Sequence, residues 1–319
     1  ERDLKRLVVM YLAAVGLYMT HSLWEYRAGR HVWTMGTARL LGIDTTYGDP
    51  NTFAATLVYS LPLAVALWPH AQRAWHRVLL AGYAGLSVLC ILLTSSRSGF
   101  VGLCFLCGWI AMASKRRLAW MLLLAIAAPV GWTCLPQDRQ NRFLTLIDPS
   151  YGPPNAQESA EGRAKGWRDG VRLWKEHPAL GVGPGAFGTA TGGGLESHQL
   201  YGQVLGEMGT AGAVAFASIL AAFLVNVLAM RRRCRESPEC QGSLAASVNW
   251  AVGTTVVLLL LMGFGGHNLY RYTWLWFGAF QAIALHCANL QEVMEDEEVK
   301  DNERVSEQSE ALVPACPEE

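Results

Sequence analysis

The stretch Ser197–Gly212, SHQLYGQVLGEMGTAG, joins two unlike parts of the chain. A long polar, glycine-rich segment precedes it, and Thr210–Met230 continues from it for 21 residues without a charged side chain. A largely apolar run of about 20 residues is what a helix needs to cross a bilayer. The stretch therefore marks a membrane protein. It also sets an imidazole, His198, where a water-exposed segment re-enters the membrane, a place where a lipid-linked molecule and a water-borne one can meet.

Working outward, seven further apolar runs have the length and composition of spans: Leu7–Trp24, Pro50–Trp68, Val78–Thr94, Gly99–Ser114, Leu118–Leu135, Leu244–Gly263 and Tyr272–Ala288. The expected fold is all-α, a polytopic transmembrane helical bundle of about eight spans. Basic residues collect in cytoplasmic loops. With the N-terminus inside, four clusters fall there: Arg2, Lys5 and Arg6; Arg73 and Arg77; Lys115, Arg116 and Arg117; and Arg231, Arg232, Arg233 and Arg235. Residues 20–49, 95–99, 136–209 and 265–271 then face outward. This divides the chain into spans one to five (1–135), an extracytoplasmic loop (136–209), spans six to eight (210–290) and a tail (291–319).

Composition agrees. Of 319 residues with formal net charge +0, 51% are apolar and 16% charged, and 12 Trp and 10 Tyr suit a membrane interface. No nucleic-acid partner is expected. Residues 292–319 carry eleven acidic side chains against Lys300 and Arg304, which reads as a disordered, solvated cytoplasmic tail. The eight cysteines do not read as a disulfide framework, and Cys104-x-x-Cys107 inside a span reads as packing rather than a redox pair. Residue 1 is Glu and no signal peptide precedes the first apolar run, so native N-terminal residues are expected to be missing.

The outer segment has internal order. Residues 148–155 are dense in turn formers. Ala160, Ala164, Trp167, Val171 and Trp174 then recur at helical spacing, which predicts an amphipathic helix with that stripe on the membrane body. Arg163 lies roughly 60° from the stripe centre and Arg172 about 120° away, so Arg163 can point inward and Arg172 should face water. His177–Gly188, HPALGVGPGAFG, stops the helix and alternates glycines in a tight loop, with phosphate contact weakly signalled. Arg27, Arg30 and Arg39 are basic residues on the side where they are usually depleted, and an anionic substrate is one reason for that.

These pieces together resemble the O-antigen ligase family, whose members share the C-terminal domain of polysaccharide polymerases. The resemblance rests on Gly48-Asp49-Pro50-Asn51 opening a span, Ser96-Arg97-Ser98-Gly99, and Gly162-Arg163 with Trp167. It continues through His177-Pro178 with Gly181-Val182-Gly183-Pro184-Gly185, and His198-Gln199 with Gly209-x-x-Gly212. It covers about residues 50–212. It implies a GT-C-like, polytopic, all-helical transferase of the bacterial inner membrane, with its active site on the periplasmic or exterior face and further spans ahead of the matching region. The implied donor is a glycan on undecaprenyl diphosphate, and the implied acceptor is a hydroxyl of a glycan, lipid A-core or protein. A histidine matching His198 is the family's proposed base, and arginines matching Arg97 and Arg163 bind the diphosphate, with Arg168 and Arg172 as rivals for the second place.

The chemistry suits those residue types. An attacking hydroxyl needs a base near neutral pH, and histidine's unperturbed pKa of about 6.5 meets that need. The departing diphosphate needs fixed positive charge, which the planar arginine fork provides. No cofactor is called for, and no outer acidic or histidine cluster suggests a metal. Glu207 is expected to orient the start of its helix, while His267 and Arg271 form a second polar cluster that can support the site or touch the acceptor. The bland readings are an interfacial histidine for His198 and a snorkelling anchor for Arg97. Polymerase and protein O-oligosaccharyltransferase activities share the donor chemistry. A transporter would instead set ionisable groups near the bilayer midplane.

Overall fold

The computed structural model describes the chain apart from residues 35, 43–47, 153–154, 194–196, 267, 291–303 and 305–319. His267 and nearly all of the acidic tail therefore lie outside the described residues. The chain begins with α1 (Arg2–Arg27) and a small antiparallel hairpin of β1 (Val32–Thr34) and β2 (Thr37–Arg39), with Trp33 opposite Ala38. Next come α2 (Pro50–Leu67), α3 (Ala74–Thr94), α4 (Arg97–Ala113), α5 (Arg117–Thr133), α6 (Gln137–Leu144) and α7 (Asn155–Glu176). The chain then forms α8 (Phe187–Ala190), α9 (Leu200–Glu236), α10 (Pro238–Gly242), α11 (Leu244–Gly263) and α12, residues 273–290.

The protein is thus all-α and polytopic, with one short hairpin. α1, α2, α3, α9 and α11 are long and apolar enough to cross a membrane, whereas α4 and α5 are apolar but 17 residues each. Side-chain caps set several starts. The Asp49 carboxylate accepts from the Asn51 and Thr52 amides at 3.0 and 2.9 Å, with Pro50 preset for the first turn of α2. Ser96 caps α4, Gln199 caps α9 and Ser243 caps α11 through the same kind of bond.

α2 and α11 form the centre of the bundle, and most of each is buried. Both are apolar on every side, as a helix must be when surrounded by other helices. α5 buries no residue and lies at the rim against α4, so its leucines face lipid. A polar thread crosses the core where Gln281 of α12 donates to Asn249 of α11 and to the Phe223 carbonyl of α9. With each of these groups paired, the thread can persist in an apolar interior.

Two departures from the sequence reading have clear causes. The apolar run Thr210–Met230 is only part of α9, which breaks at Gly209 (φ 62°, ψ −157°) and continues toward His198 as a polar stretch. Such a break leaves backbone groups unpaired. The segment after α7 repairs it: Val182 and Gly183 donate to the Gly206 and Glu207 carbonyls, both at 2.9 Å. Thr210 and Ala211 donate in return to the Pro178 and Ala179 carbonyls at 2.9 and 3.0 Å. The glycine-rich loop thus spends two of its amides on the helix break.

The second departure is the face of α7. It packs on α9 mainly through Gly166, Gly170 and Leu173; of the predicted stripe, Ala164 and Trp167 are exposed, while the Trp174 indole donates to Thr210 of α9 at 3.0 Å. A Cβ at Gly170 would stand 2.2 Å from the Gly202 carbonyl oxygen, so backbone meets backbone here. Small residues won over large apolar ones because close approach of two helices was the requirement. The cysteines also differ in one respect: Cys234 and Cys240, at the end of α9 and in α10, are paired.

The two ends of the bundle differ in character. Lys5 donates to the His70 carbonyl at 3.2 Å, His70 meets Ser247 at 3.1 Å, and the Ala245 amide donates to Glu1 at 3.1 Å. These contacts gather the start of α1, the turn after α2 and the start of α11. The starts of α2, α4 and α9 meet at the other end.

Candidate functional site

Where those three helices begin, a cleft opens to solvent. Asp49, Asn51 and Thr52 line it from α2, Ser98 from α4, and His198 from the residue before the α9 cap. Gly265, Gly266, Asn268 and Arg271, from the turn between α11 and α12, close the opposite wall. Helix N-termini carry partial positive charge, so three opening on one cleft favour an anion nearby.

His198 is exposed, and its backbone is held from behind. Gly166 of α7 lies against Ser197 and the His198 amide, and the Ser197 hydroxyl donates to the Gln199 carbonyl at 3.0 Å. Gln199 in turn accepts from the Gly202 amide at 2.6 Å. The capped start of α9 therefore presents the imidazole to the cleft from a fixed backbone.

Arg97, the first residue of α4, is 6% exposed and donates to the Thr145 hydroxyl at 3.2 Å. Arg163 is half-buried on the same face of α7 as Gly170, and its guanidinium packs beside Gly265 of the cleft wall. Arg172 is exposed, and its guanidinium pairs with Asp169 at 3.3 Å. The fold thus sets Arg163 beside the cleft, on the face of Gly166 and Gly170 rather than by the predicted stripe, and leaves Arg172 in solvent.

Two further arginines belong to this neighbourhood. Arg39 of the hairpin donates to the Thr94 carbonyl at 2.7 Å and to Asn51 Oδ1 at 2.9 Å. Arg142 of α6 donates to the Ser95 carbonyl at 2.8 Å. Burial pushes the Arg142 guanidinium down to about 9, and the charges of Arg39, Arg97 and Arg163 push in the same direction. Burial likewise lowers Arg39 to about 10 against the pull of Asp49. Arg163 is lowered by burial first and then by Arg97. Four guanidinium groups that repel one another across a partly desolvated space make a strongly positive wall.

Arg139 has a different task. It donates to the Leu92, Leu93 and Ala38 carbonyls, to the Ser95 hydroxyl and to the Tyr26 hydroxyl. It thereby caps the last carbonyls of α3 and ties the α3–α4 turn, where Ser95 has φ 50°, to α1 and the hairpin. Arg39 was visible in the sequence only as a basic residue on the unexpected side. Arg139 and Arg142 carried no signal that separates a cap from a charge on a cleft wall.

Glu207 is fully buried and lies away from the base position. Its carboxylate accepts from the Gly185 and Phe187 amides at 3.1 and 3.3 Å and from the Tyr270 hydroxyl. It ties the glycine-rich loop and the α11–α12 turn to α9. Arg271 lines the cleft from that turn. Among the described residues, no group of three or more His, Cys, Asp or Glu side chains is arranged to hold a metal ion.

No curated protein matches the chain. Residues 82–217, a little over two fifths of the chain, match the family described as O-antigen ligase. The match holds Arg97, Arg163, His198 and Glu207, while Gly48–Asn51 precede it. The stretch from the middle of α3 into the membrane part of α9 is thus similar to O-antigen ligases, a family of membrane glycan ligases and polymerases.

Proposed function

We propose that the protein moves a glycan from undecaprenyl diphosphate to an acceptor hydroxyl at the outer face of the bacterial inner membrane. The observation that carries this reading is an exposed imidazole, His198, lining a cleft whose Asn51 and Gly265 are touched by Arg39 and Arg163, members of a cluster of repelling arginines with Arg97 and Arg142. His198 takes the proton of the acceptor hydroxyl as its oxygen attacks the anomeric carbon. The bond from that carbon to the diphosphate oxygen breaks on the opposite face, and the configuration inverts. Arg97 and Arg163 hold the diphosphate and balance the charge it gains on leaving. The proton then passes from His198 to water. The polyprenyl chain leaves the cleft along the apolar helices beside it.

Ligation is taken as the first reading because the matched family is described as O-antigen ligase. The acceptor alone separates ligase from polymerase and from protein O-oligosaccharyltransferase. A transporter is disfavoured because the ionisable side chains gather at helix ends rather than midway along them.

The test uses the full chain in proteoliposomes with undecaprenyl-diphosphate glycan and three acceptors: lipid A-core, a free glycan, and a serine-containing peptide. Transfer to lipid A-core is expected, with His198→Ala lowering the rate about 10²–10⁴-fold, as for loss of a general base. Wild-type transfer by His198→Ala at equal protein level would falsify the base assignment.

A further inference from the structure

At the opposite end of the bundle from His198, an apolar groove opens between α2, α3, α4 and α5. It follows the last part of α2 and the turn after it, and the stretch from Leu61 to Pro69 measures about 12 Å along a helix axis. One leaflet of the hydrocarbon core is about 15 Å deep, so the groove has the depth of a single leaflet. Trp120 and Leu124 of α5 form its outer wall, and α5 itself buries no residue. Trp68 and Trp120 stand exposed at its rim and Trp250 lines it, three indoles of the kind that settle at a membrane interface. In a bilayer such a gap takes lipid chains, because an empty apolar space forfeits its dispersion contacts.

The charge at its mouth narrows the choice of lipid. Ser114 lines the groove, and its hydroxyl accepts from the Arg116 amide at 3.1 Å, which ties the exposed turn Lys115-Arg116-Arg117 to the opening. Arg77, also exposed, precedes Leu80 and Ala81 of the lining by one turn and so shares their face of α3. Residues 50–137 contain no Asp or Glu, and among the described residues none of these four cations forms an ion pair. The general preference for basic cytoplasmic loops explains cations at this end. It does not explain why two separate turns bring theirs to the mouth of one groove. A headgroup with net negative charge answers that arrangement, whereas a zwitterionic one brings an ammonium that these side chains repel.

We propose that this groove binds an anionic diacyl phospholipid from the leaflet at the basic end. Its acyl chains lie between α5 and the α2–α3 pair, and its phosphate lies among Arg77, Lys115, Arg116 and Arg117. The site is separate from the His198 cleft and rests on the membrane-spanning fold, not on the transferase reading. The bound lipid holds α5 to the bundle, a task for which that helix buries none of its own residues.

The test is native mass spectrometry of the full chain in detergent, with equal amounts of dioleoyl phosphatidylglycerol and dioleoyl phosphatidylcholine as probes. The wild-type protein should retain the first at least about tenfold more than the second, each basic residue near the headgroup accounting for roughly fivefold. Combining Lys115→Gln, Arg116→Gln and Arg117→Gln should abolish that preference. Ala81→Trp, at an exposed position of the lining, keeps every charge and fills the groove, so it should displace both lipids. The pair Arg231→Gln and Arg232→Gln, in another basic cluster, should leave the ratio unchanged. Phosphatidylglycerol should also raise the unfolding temperature of the wild type more than that of either groove variant. Equal retention of the two lipids by the wild-type protein overturns the proposal, as does a preference that survives either groove variant. An equal loss in the Arg231 and Arg232 pair overturns it too, because it would leave only a general attraction to the basic end.

Discussion

At the scale of single residues, chemistry was legible in the sequence wherever the residue type restricts its role. His198 is an imidazole at a loop–membrane junction, and it lines the cleft. Arg163 and Arg172 have the same chemistry nine positions apart, and only helical geometry separated them: one packs beside Gly265 and the other pairs with Asp169 in solvent. Arg163→Ala should therefore lower kcat/KM for the lipid-linked donor about 10²-fold, the effect of one lost charge-assisted contact. Arg172→Ala should stay near the wild-type value, since an exposed pair contributes at most about 1 kcal/mol. Steady-state transfer rates of the two variants check this, and equal losses would defeat the assignment. Arg139 marks the limit of residue-level reading. Its five acceptors come from α1, the hairpin, α3 and the turn after it, so its role as a cap exists only in the folded chain. Lysine has three donors and cannot serve five acceptors. Arg139→Lys should cost about 1–3 kcal/mol of stability, read as a lower unfolding temperature in detergent.

At the scale of elements, hydropathy placed the helices well because a bilayer demands length and apolar composition of each span separately. Pro50–Trp68 became α2, and Leu244–Gly263 matches α11 end to end. It failed at α7 and α9, where the decisive requirement was fit against another backbone. Ala164 and Trp167 of the predicted stripe stand exposed, and glycines make the close contact. In α9 the break at Gly209 is stable because the loop 178–183 returns to pair its free groups. Gly209 combines φ 62° and ψ −157°, a region almost confined to glycine, and a Cβ there would stand 2.5 Å from the Gly181 amide nitrogen. Gly209→Ala should destabilise the protein by about 1–3 kcal/mol from backbone strain alone. It should also loosen the presentation of His198, so transfer should fall further than thermal unfolding of the population explains. Parallel measurement of melting and rate tests the pair of effects.

At the scale of the whole molecule, the chain has a basic end and a catalytic-looking end, and the proposed topology sets them on opposite sides of the membrane. Single cysteines introduced at the exposed Ser150 and at Ser114 into a variant with the native cysteines replaced should separate under a membrane-impermeant thiol reagent. The first should label from outside, and the second only after permeabilisation; the reverse pattern would invert the topology. What the sequence determined by itself was the membrane environment, the helical class and the imidazole ahead of the long apolar run. Each of these follows from the composition of a local run against its solvent. Only the tertiary structure decided which arginines gather near the cleft, which one caps α3 instead, and how α9 tolerates its break. Those outcomes depend on residues such as Arg39, Arg97, Arg142 and Arg163 that are far apart in the chain. Whether a charge meets an acceptor, a partner or an empty space is set by the packing of helices, which no local pattern encodes.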